Sequence, residues 1–558
     1  MAKREALSSV DAAWLGMEDP TNLMMVSGIL TFDEVLDFDE FIQVVVHRWL
    51  RFDRFRQRVV HPKRPLASPQ WEFDPNFNIN AHVHRVALPA PGDYHTLQNM
   101  ISDLMSTPLD YSKPLWQCHF IEGYEQGTVV MSRLHHAIAD GIALMYVLLS
   151  MADTSPEASR QHPTVQTDET RRERSGRFGL LGSLARQAST AVHTARDVTG
   201  LLVHEGLETV NNPSHAVDRA VQGTEAALAA GRLIFRTPDP KTLFKGELGV
   251  AKRASWSRPL SLAEVKAIKN VTGGTVNDVL VSAMTGAVRA YMQQRGAPVD
   301  GVSFRAAMPV NIRPPEKMEE LGNQFGIIYL TLPVNIGDPL DRLVEVRRRM
   351  EELKNTPEAL VAFGILKGIG MSPAEAQTRM VDMFGSKATV VMTNVPGPQM
   401  PLYIAGKELA GIMAWVPQSG RVALGLSIIS YNGKVFVGVN TDEGLVPDPD
   451  AIMDAFYAEF DNLLELARQV EALPKPAAPA KRADVALVNV NTAVLADLEI
   501  LPGVGASIAQ RIIAYRDEHG PFPTVESLTQ VTGIGNKKLQ LFADQITVSS
   551  VSSVRRDA

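Results

Sequence analysis

Apolar positions along the chain keep two rhythms. Runs such as MMVSGILTF (Met24 to Phe32) and TVVMSRLHH (Thr128 to His136) are short and rich in Val, Ile, Leu and Met, which reads as strand. DEFIQVVVHRWLRF (Asp39 to Phe52) and IALMYVLLSMA (Ile142 to Ala152) instead repeat apolar residues at helical spacing. A polar stretch, ADTSPEASRQHPTVQTDETRRERSGR (Ala152 to Arg177), interrupts this pattern and reads as a flexible connection. After it, Leu180 to Val210 has amphipathic helical spacing, which suits either a helix packed on the body or an element that meets lipid. A second α/β pattern runs from about Ala254 to Val470, with strands expected in VSFRAAMPVNI, FGIIYLTLPV, KATVVMTNV, VALGLSIIS and FVGVNTD.

The pattern therefore divides the chain at 1–151, 152–253 and 254–472. LPKPAAPAKRADVA (Leu473 to Ala486) has the composition of a semi-rigid linker, so a further boundary falls at 473–486. Beyond it, residues 487–550 hold a near-repeat: LPGVGASIAQRII (Leu501 to Ile513) and VTGIGNKKLQLF (Val531 to Phe542) place Gly503 and Gly533 at equivalent points of two small hairpins.

Composition narrows the class without naming a function. At 558 residues, 45% hydrophobic and 21% charged, the chain is long enough for several cores and far from the disordered class. A net charge of −7 marks no global nucleic-acid or anionic-membrane binder, so any such role must be local. The single cysteine, Cys118, excludes an intramolecular disulfide and fits a reducing cytoplasm; in PLWQCHF it reads as a small apolar packing residue. The N-terminus has no apolar signal core and no apolar run reaches spanning length, so neither secretion nor a membrane span is expected.

Chemistry concentrates in LHHAIADG. If Thr128 to His136 is a strand, side chains alternate, so His136 shares a face with Val130, Ser132 and Leu134 while His135 joins Met131 and Arg133. The two histidines then have different tasks. Asp140 and Gly141 fit a tight turn into the following helix. Taken alone, the string also fits a core histidine beside a helix-capping aspartate. No G-x-S-x-G elbow, phosphate loop, dinucleotide fingerprint or H-E-x-x-H spacing occurs. A histidine without a paired nucleophile suits direct general-base catalysis: a neutral imidazole takes the proton of an alcohol and later returns it to a leaving thiolate.

The string His135-His136-Ala137-Ile138-Ala139-Asp140-Gly141 resembles the HHxxxDG motif of the bacterial wax ester synthase/acyl-CoA:diacylglycerol acyltransferases. Further pieces agree in order: LSSVDAAWLGMEDPTNLMMVSGIL, PLDYSKPLW, TVNDVLVSAMTGAVRAYM, AAMPVNIRP, LGNQFGIIYLTLPV and TNVPGPQMPLYIAGKEL, together spanning about Leu7 to Val470. The resemblance implies an α/β fold of two chloramphenicol-acetyltransferase-like halves, each with a mixed sheet, joined by a long crossover, with the site in a tunnel between them. It implies that His136 is the general base, that His135 supports the site or shapes its entrance, that Asp140 fixes the loop, often through an arginine, and that Gly141 keeps backbone room. Asn277 and Asp278 match the family's Asn-Asp motif and would face the site from the second half. An amide there is a sensible oxyanion donor, although helix capping in GGTVND explains both residues as well. Asn323, beside Gly322 in LGNQFG, and Asn394 in TNVPGP are candidate substrate contacts that turn formation also explains. Residues around Trp14 to Gly28 either line an acyl pocket or form ordinary core.

Residues 488–548 resemble the tandem helix-hairpin-helix domain of the bacterial DNA-uptake receptors, which implies a small all-α module touching the DNA backbone without sequence preference. From Lys481 onward eight basic residues face eight acidic ones, so contact with duplex DNA should be weak. Protein docking is the other reading.

The expected activity is transfer of a fatty acyl group from acyl-CoA, a substrate rather than a cofactor, to diacylglycerol or a long-chain alcohol. No metal or cofactor is expected. The location would be cytoplasmic, peripheral to the inner membrane face or lipid droplets. Two rivals stand beside it: a condensation-type acyltransferase using carrier-protein thioesters, and a DNA-associated binding protein.

Overall fold

The computed structural model describes residues 4–62, 68–161, 228–314, 321–354, 356–372, 374–418, 420–472 and 487–548. The chain forms two compact units, Met1–Val470 and Glu471–Ala558. The amphipathic run at 180–210 and the linker at 473–486 lie outside the described residues, as does most of the expected crossover at 152–253.

The first unit is built on two mixed sheets. One contains β1 (Met25–Phe32), β2 (Val83–Ala87), β3 (Trp116–Tyr124) and β4 (Gly127–His135) in the order β1-β4-β3-β2. Its β2–β3 pair is parallel and the others are antiparallel. Strand β4 lies between β1 and β3 and is buried at every position, its polar Thr128, Ser132, Arg133 and His135 included. The second sheet contains β5 (Lys252–Trp256), β6 (Phe304–Asn311), β7 (Phe325–Leu332), β8 (Val390–Pro396), β9 (Leu424–Tyr431) and β10 (Lys434–Asp442), in the order β7-β6-β8-β9-β10-β5. Its parallel pairs are β6–β8 and β8–β9. The expected strands are therefore present.

The division into halves needs one correction. Gly411–Trp415, from the second half of the sequence, pairs with β1 and forms the edge of the first sheet. The segment is short, and its apolar residues fill the first core: Ile412, Met413 and Trp415 are buried with Ile29, Leu30 and Trp116. Residues 1–151 thus do not complete their own sheet.

Helices position the chemistry. These are α1 (Ser9–Met17), α2 (Gly141–Met151), α3 (Val276–Gln294) and α4 (Glu358–Gly370). Helix α4 approaches α1 so closely that a Cβ on Gly370 would run into the Ser9 carbonyl, and one on Gly326 would strike the Ala359 carbonyl. Glycine at these points lets α4 lie against both α1 and β7.

The second unit has its own core of Val490, Leu498, Leu501, Val504, Ile512, Phe522, Leu528, Val531, Ile534 and Phe542, drawn from both repeats. It is not wholly α: Val488–Asn489 and Ile546–Thr547 pair in parallel and tie the two ends of the module together.

Candidate active site

Strand β4 ends at His135, one residue earlier than the sequence pattern suggests, and the two histidines then diverge. The His135 N–H donates to the Leu115 carbonyl, whereas the His136 N–H donates to that of Met24. Their side chains enter separate networks.

His136 stacks on Trp14 with ring centroids 4.0 Å apart and planes inclined by 16°, and Phe325 lies 5.6 Å away. Its Nδ1 is 2.8 Å from Asn323 Oδ1. Asn323 Nδ2 donates to Asp11 Oδ1 at 2.7 Å and to the His136 carbonyl at 2.8 Å. Among the described residues no hydrogen bond reaches His136 Nε2. Burial pushes the imidazole down to about 4, against the opposing pull of Asp140 and the Asn323 bond, so the ring is neutral at pH 7.

Helix α1 delivers this surrounding shell. Ser8 caps it by accepting from the Asp11 N–H at 3.1 Å. Asp11, Trp14 and Glu18 follow at helical spacing, which brings all three to one side. Glu18 Oε2 lies 3.0 Å from His135 Nε2 and accepts from the Met24 N–H at 2.9 Å. Burial raises the Glu18 carboxyl, but the interactions with His135 and the Met24 amide outweigh it and hold the group below its ordinary value. His135 Nδ1 in turn accepts from the Ala137 N–H at 3.0 Å, and Tyr111 meets the ring edge-on at 5.9 Å. His135 is fully buried.

Asp140 is a junction. One oxygen caps α2 by accepting from the Ala143 N–H at 2.9 Å; the other accepts from Arg313 Nη2 and from the Gln324 N–H, each at 2.8 Å. Gly141 opens α2, and a Cβ added there would meet nothing within 4 Å, so the protein's own packing does not require a glycine.

Two expectations are revised. Asp278, placed at the substrate by resemblance, is buried in a capping box at the start of α3: its Oδ2 accepts from the Thr275 N–H at 2.8 Å while its own N–H donates to Thr275 Oγ1. Asn323 was a substrate-contact candidate, yet its side chain is spent on Asp11 and His136. Asn277 and Asn394 do come together, with Asn394 Nδ2 donating to Asn277 Oδ1 at 2.8 Å. That bond leaves the Asn277 amide N–H groups available to another acceptor.

Trp14 also lines an apolar cleft of about 700 Å³, counting its open mouth. Ile327 and Tyr329 of β7, Ala362 and Ile365 of α4, Phe384 and Leu233 are among its walls. Its apolar lining suits an aliphatic chain. Among the described residues no cluster of His, Cys, Asp or Glu is arranged to hold a metal.

Sequence reasoning missed Asp11, Glu18 and Arg313 as parts of the site. The helical spacing of Asp11, Trp14 and Glu18 was a usable signal; for Arg313 only the general expectation of an arginine partner existed.

Residues 7–280 match the family model for the wax ester synthase/diacylglycerol acyltransferase catalytic domain, residues 321–464 that for the C-terminal domain of the same family, and residues 484–547 the helix-hairpin-helix motif. A Mycobacterium tuberculosis protein, tgs1, named a probable diacylglycerol O-acyltransferase, is 29% identical over 453 residues, covering 79% of this chain and 92% of the relative. The structure of a wax ester synthase/diacylglycerol acyltransferase from Marinobacter aquaeolei VT8 aligns with a TM-score of 0.57 at 21% identity, over 83% of this chain and all of that one. The first condensation domain of the calcium-dependent antibiotic synthetase aligns at 0.53 and 14% identity, over 83% of this chain and 96% of that one. These two structures establish a shared fold.

Proposed function

The chain belongs to the wax ester synthase/diacylglycerol acyltransferase family, and from that premise we propose that it moves a fatty acyl group from acyl-CoA to the hydroxyl of diacylglycerol, of a long-chain alcohol, or of both, with His136 as the base. The observation that carries this is a neutral, buried imidazole whose Nε2 carries no hydrogen bond among the described residues, close to an apolar cleft that shares Trp14 with it. Nε2 takes the acceptor's hydroxyl proton as the oxygen attacks the thioester carbon. Collapse of the tetrahedral intermediate breaks the C–S bond, and the imidazolium returns the proton to the thiolate, giving ester and free CoA. The Asn277 amide is the candidate donor to the oxyanion. Apolar walls keep water from the thioester. The chemistry is complete without metal or cofactor, so chelation should leave it unchanged.

The test incubates purified protein with radiolabelled acyl-CoA and each acceptor, wild type beside His136→Ala. Ester formation should be lost in the variant; near-normal turnover would refute the base assignment. Turnover without any carrier protein separates this activity from a condensation-type reaction.

The acceptors are lipids, and we place the enzyme at a lipid surface. No described helix is long and apolar enough to cross a membrane. Phe235 and Met371, 85% and 69% exposed, belong to segments that also carry cleft residues Leu233 and Ile369. Co-sedimentation with anionic vesicles, reduced in Phe235→Ser/Met371→Ser, tests this placement.

For the C-terminal module we propose weak backbone contact with duplex DNA. The helix Ala506–His519 follows the first Gly-x-Gly turn, and no side chain caps its N-terminus, which leaves amides for a phosphate. Arg511 and Arg516 donate to the carbonyls of Thr532 and Val490, so part of the basic complement serves the fold. Retention of the full chain on DNA should be detectable at low salt and lost near physiological salt; no retention at low salt would leave protein docking as the module's role.

A further inference from the structure

The Asn323 amide sits between a ring nitrogen on one side and two acceptors on the other. The two acceptors are the Asp11 carboxylate and the His136 carbonyl, 2.7 and 2.8 Å from the same amide nitrogen. Neither a carboxylate nor a carbonyl can donate, so the end of the amide facing them must be the NH₂. The oxygen is thereby fixed toward His136 Nδ1, 2.8 Å away, and an oxygen there requires Nδ1 to carry the ring's proton. Nε2 is then the basic nitrogen of the neutral ring.

Resting on the proposed role of His136, we infer that Asp11 is a positioning residue: accepting from Asn323 beside the His136 carbonyl, it supplies the side-chain half of the hold that keeps the amide from turning over, and so helps keep His136 in the tautomer whose Nε2 can accept the alcohol proton. If the amide turned, its NH₂ would point at Nδ1, the ring proton would move to Nε2, and the base would be occupied. Among the described residues no hydrogen bond joins Asp11 to the His136 ring, which it reaches through Asn323. Its position is itself fixed, since Asp11 is 7% exposed on a helix capped by Ser8. An acceptor-only side chain is what the task demands: asparagine at this point would fit the same space, yet could present either end to Asn323.

The test uses the full-length protein and three variants, Asp11→Asn, Asn323→Asp and the exchange Asp11→Asn/Asn323→Asp. Asp11→Asn should lower kcat by ~10- to 100-fold, the scale on which partners of a site ligand act, with little change in KM. Nitrogen-15 spectra of the His136 ring, assigned by difference from His136→Gln, should show the protonated signal at Nδ1 in wild type and at Nε2 or exchanging in Asp11→Asn. Asn323→Asp sets two carboxylates face to face and should be the weakest enzyme. The exchange returns a donor to the pair and should regain at least ~10-fold over Asn323→Asp, an interaction energy expected only of groups in contact. Wild-type kcat in Asp11→Asn, an unchanged Nδ1–H signal, or a double variant whose loss is the product of the single losses would each overturn the inference. Loss of ester formation in His136→Ala alongside any of these would leave the base assignment standing and remove only Asp11. Should Asp11→Asn not fold, the ring spectrum and kcat of Asp11→Ser, whose hydroxyl can donate as well as accept, decide the matter, a wild-type Nδ1 signal and kcat again overturning the inference.

Discussion

Arg313 Nη2 donates to Asp140 Oδ2 at 2.8 Å, with both side chains closed off from solvent. The pair joins the loop after β4 to the segment after β6. The same nitrogen also donates to the Gly322 carbonyl at 2.7 Å, and the loop backbones add bonds from the Asp140 N–H to Gly322 and from the Gly322 N–H to Ile138. The histidine loop is thus stitched to the loop that carries Asn323, and Asp140 serves as a structural anchor, with no contact to the His136 ring.

Removing one partner of this pair should therefore destabilise the protein before it changes the chemistry. Arg313→Ala leaves a carboxylate buried with only two backbone amides, a change on the order of 3–5 kcal/mol for a broken internal ion pair. The urea midpoint should drop accordingly, and kcat should fall with it because Asn323 loses its support. A stable Arg313→Ala enzyme would show that the loops are held by their backbone bonds alone.

Trp14 stacks on the His136 imidazole and also lines the cleft, whose walls do not include the histidine. Trp14→Ala opens a route for water beside the base, so the ratio of acyl-CoA hydrolysis to ester formation should rise several-fold, while Trp14→Phe keeps most of the wall. Free fatty acid measured against ester product in one assay gives that ratio directly. An unchanged ratio in Trp14→Ala would mean that water is excluded elsewhere.

The local elements of this site were legible in the sequence, and its long-range connections were not. The two histidines part ways as expected, although His136 lies just past the strand end rather than on its alternating face, and the turn chemistry of Asp140 foretold the cap on α2. Asn323 looked like a turn residue because LGNQFG offers only local clues, whereas its partners Asp11 and His136 lie 312 and 187 positions away. Asp278 shows the reverse: the family motif pointed to substrate, but the T-x-x-D spacing of Thr275 and Asp278 is a capping signature, and the local bond won. The strand at Gly411–Trp415 escaped because a five-residue apolar run carries no sign of which sheet it joins.

Chain-length preference should reside in the cleft wall. Ala362 of α4 lines it with a methyl group, next to Ile365 and opposite Ile327 and Tyr329 of β7. Ala362→Phe occupies space for the far end of an acyl chain. Each methylene kept out of the cleft costs about 0.8 kcal/mol, so excluding two lowers kcat/KM by ~10-fold or more. The ratio of kcat/KM for hexadecanoyl-CoA to that for decanoyl-CoA should fall by that factor, with decanoyl transfer retained as evidence of an intact fold. Equal losses on both substrates would move the acyl chain to another part of the protein.

The pH dependence follows from the proposed base, His136. A buried imidazole pushed down to about 4 stays unprotonated well below the usual histidine range, so the free enzyme keeps its base through the mildly acidic region. The acid limb of kcat/KM, which reports the free enzyme, should therefore be flat from pH 7 to about 5 and fall only with a midpoint near 4. Stability responds in the opposite region. His119 is held down to about 3 by burial and the nearby Arg133, and His82 and His84 are lowered by burial as well. The unfolded chain binds protons at these histidines below ~6.5 while the folded one does not, so stability is full above that value and declines as the pH falls toward 4. Thermal melts and initial rates recorded in the same buffers separate the two effects: Tm should begin to fall near pH 6.5 while kcat/KM still holds. A kcat/KM that already halves near pH 6.5 in folded protein would place the active base in water rather than behind Trp14.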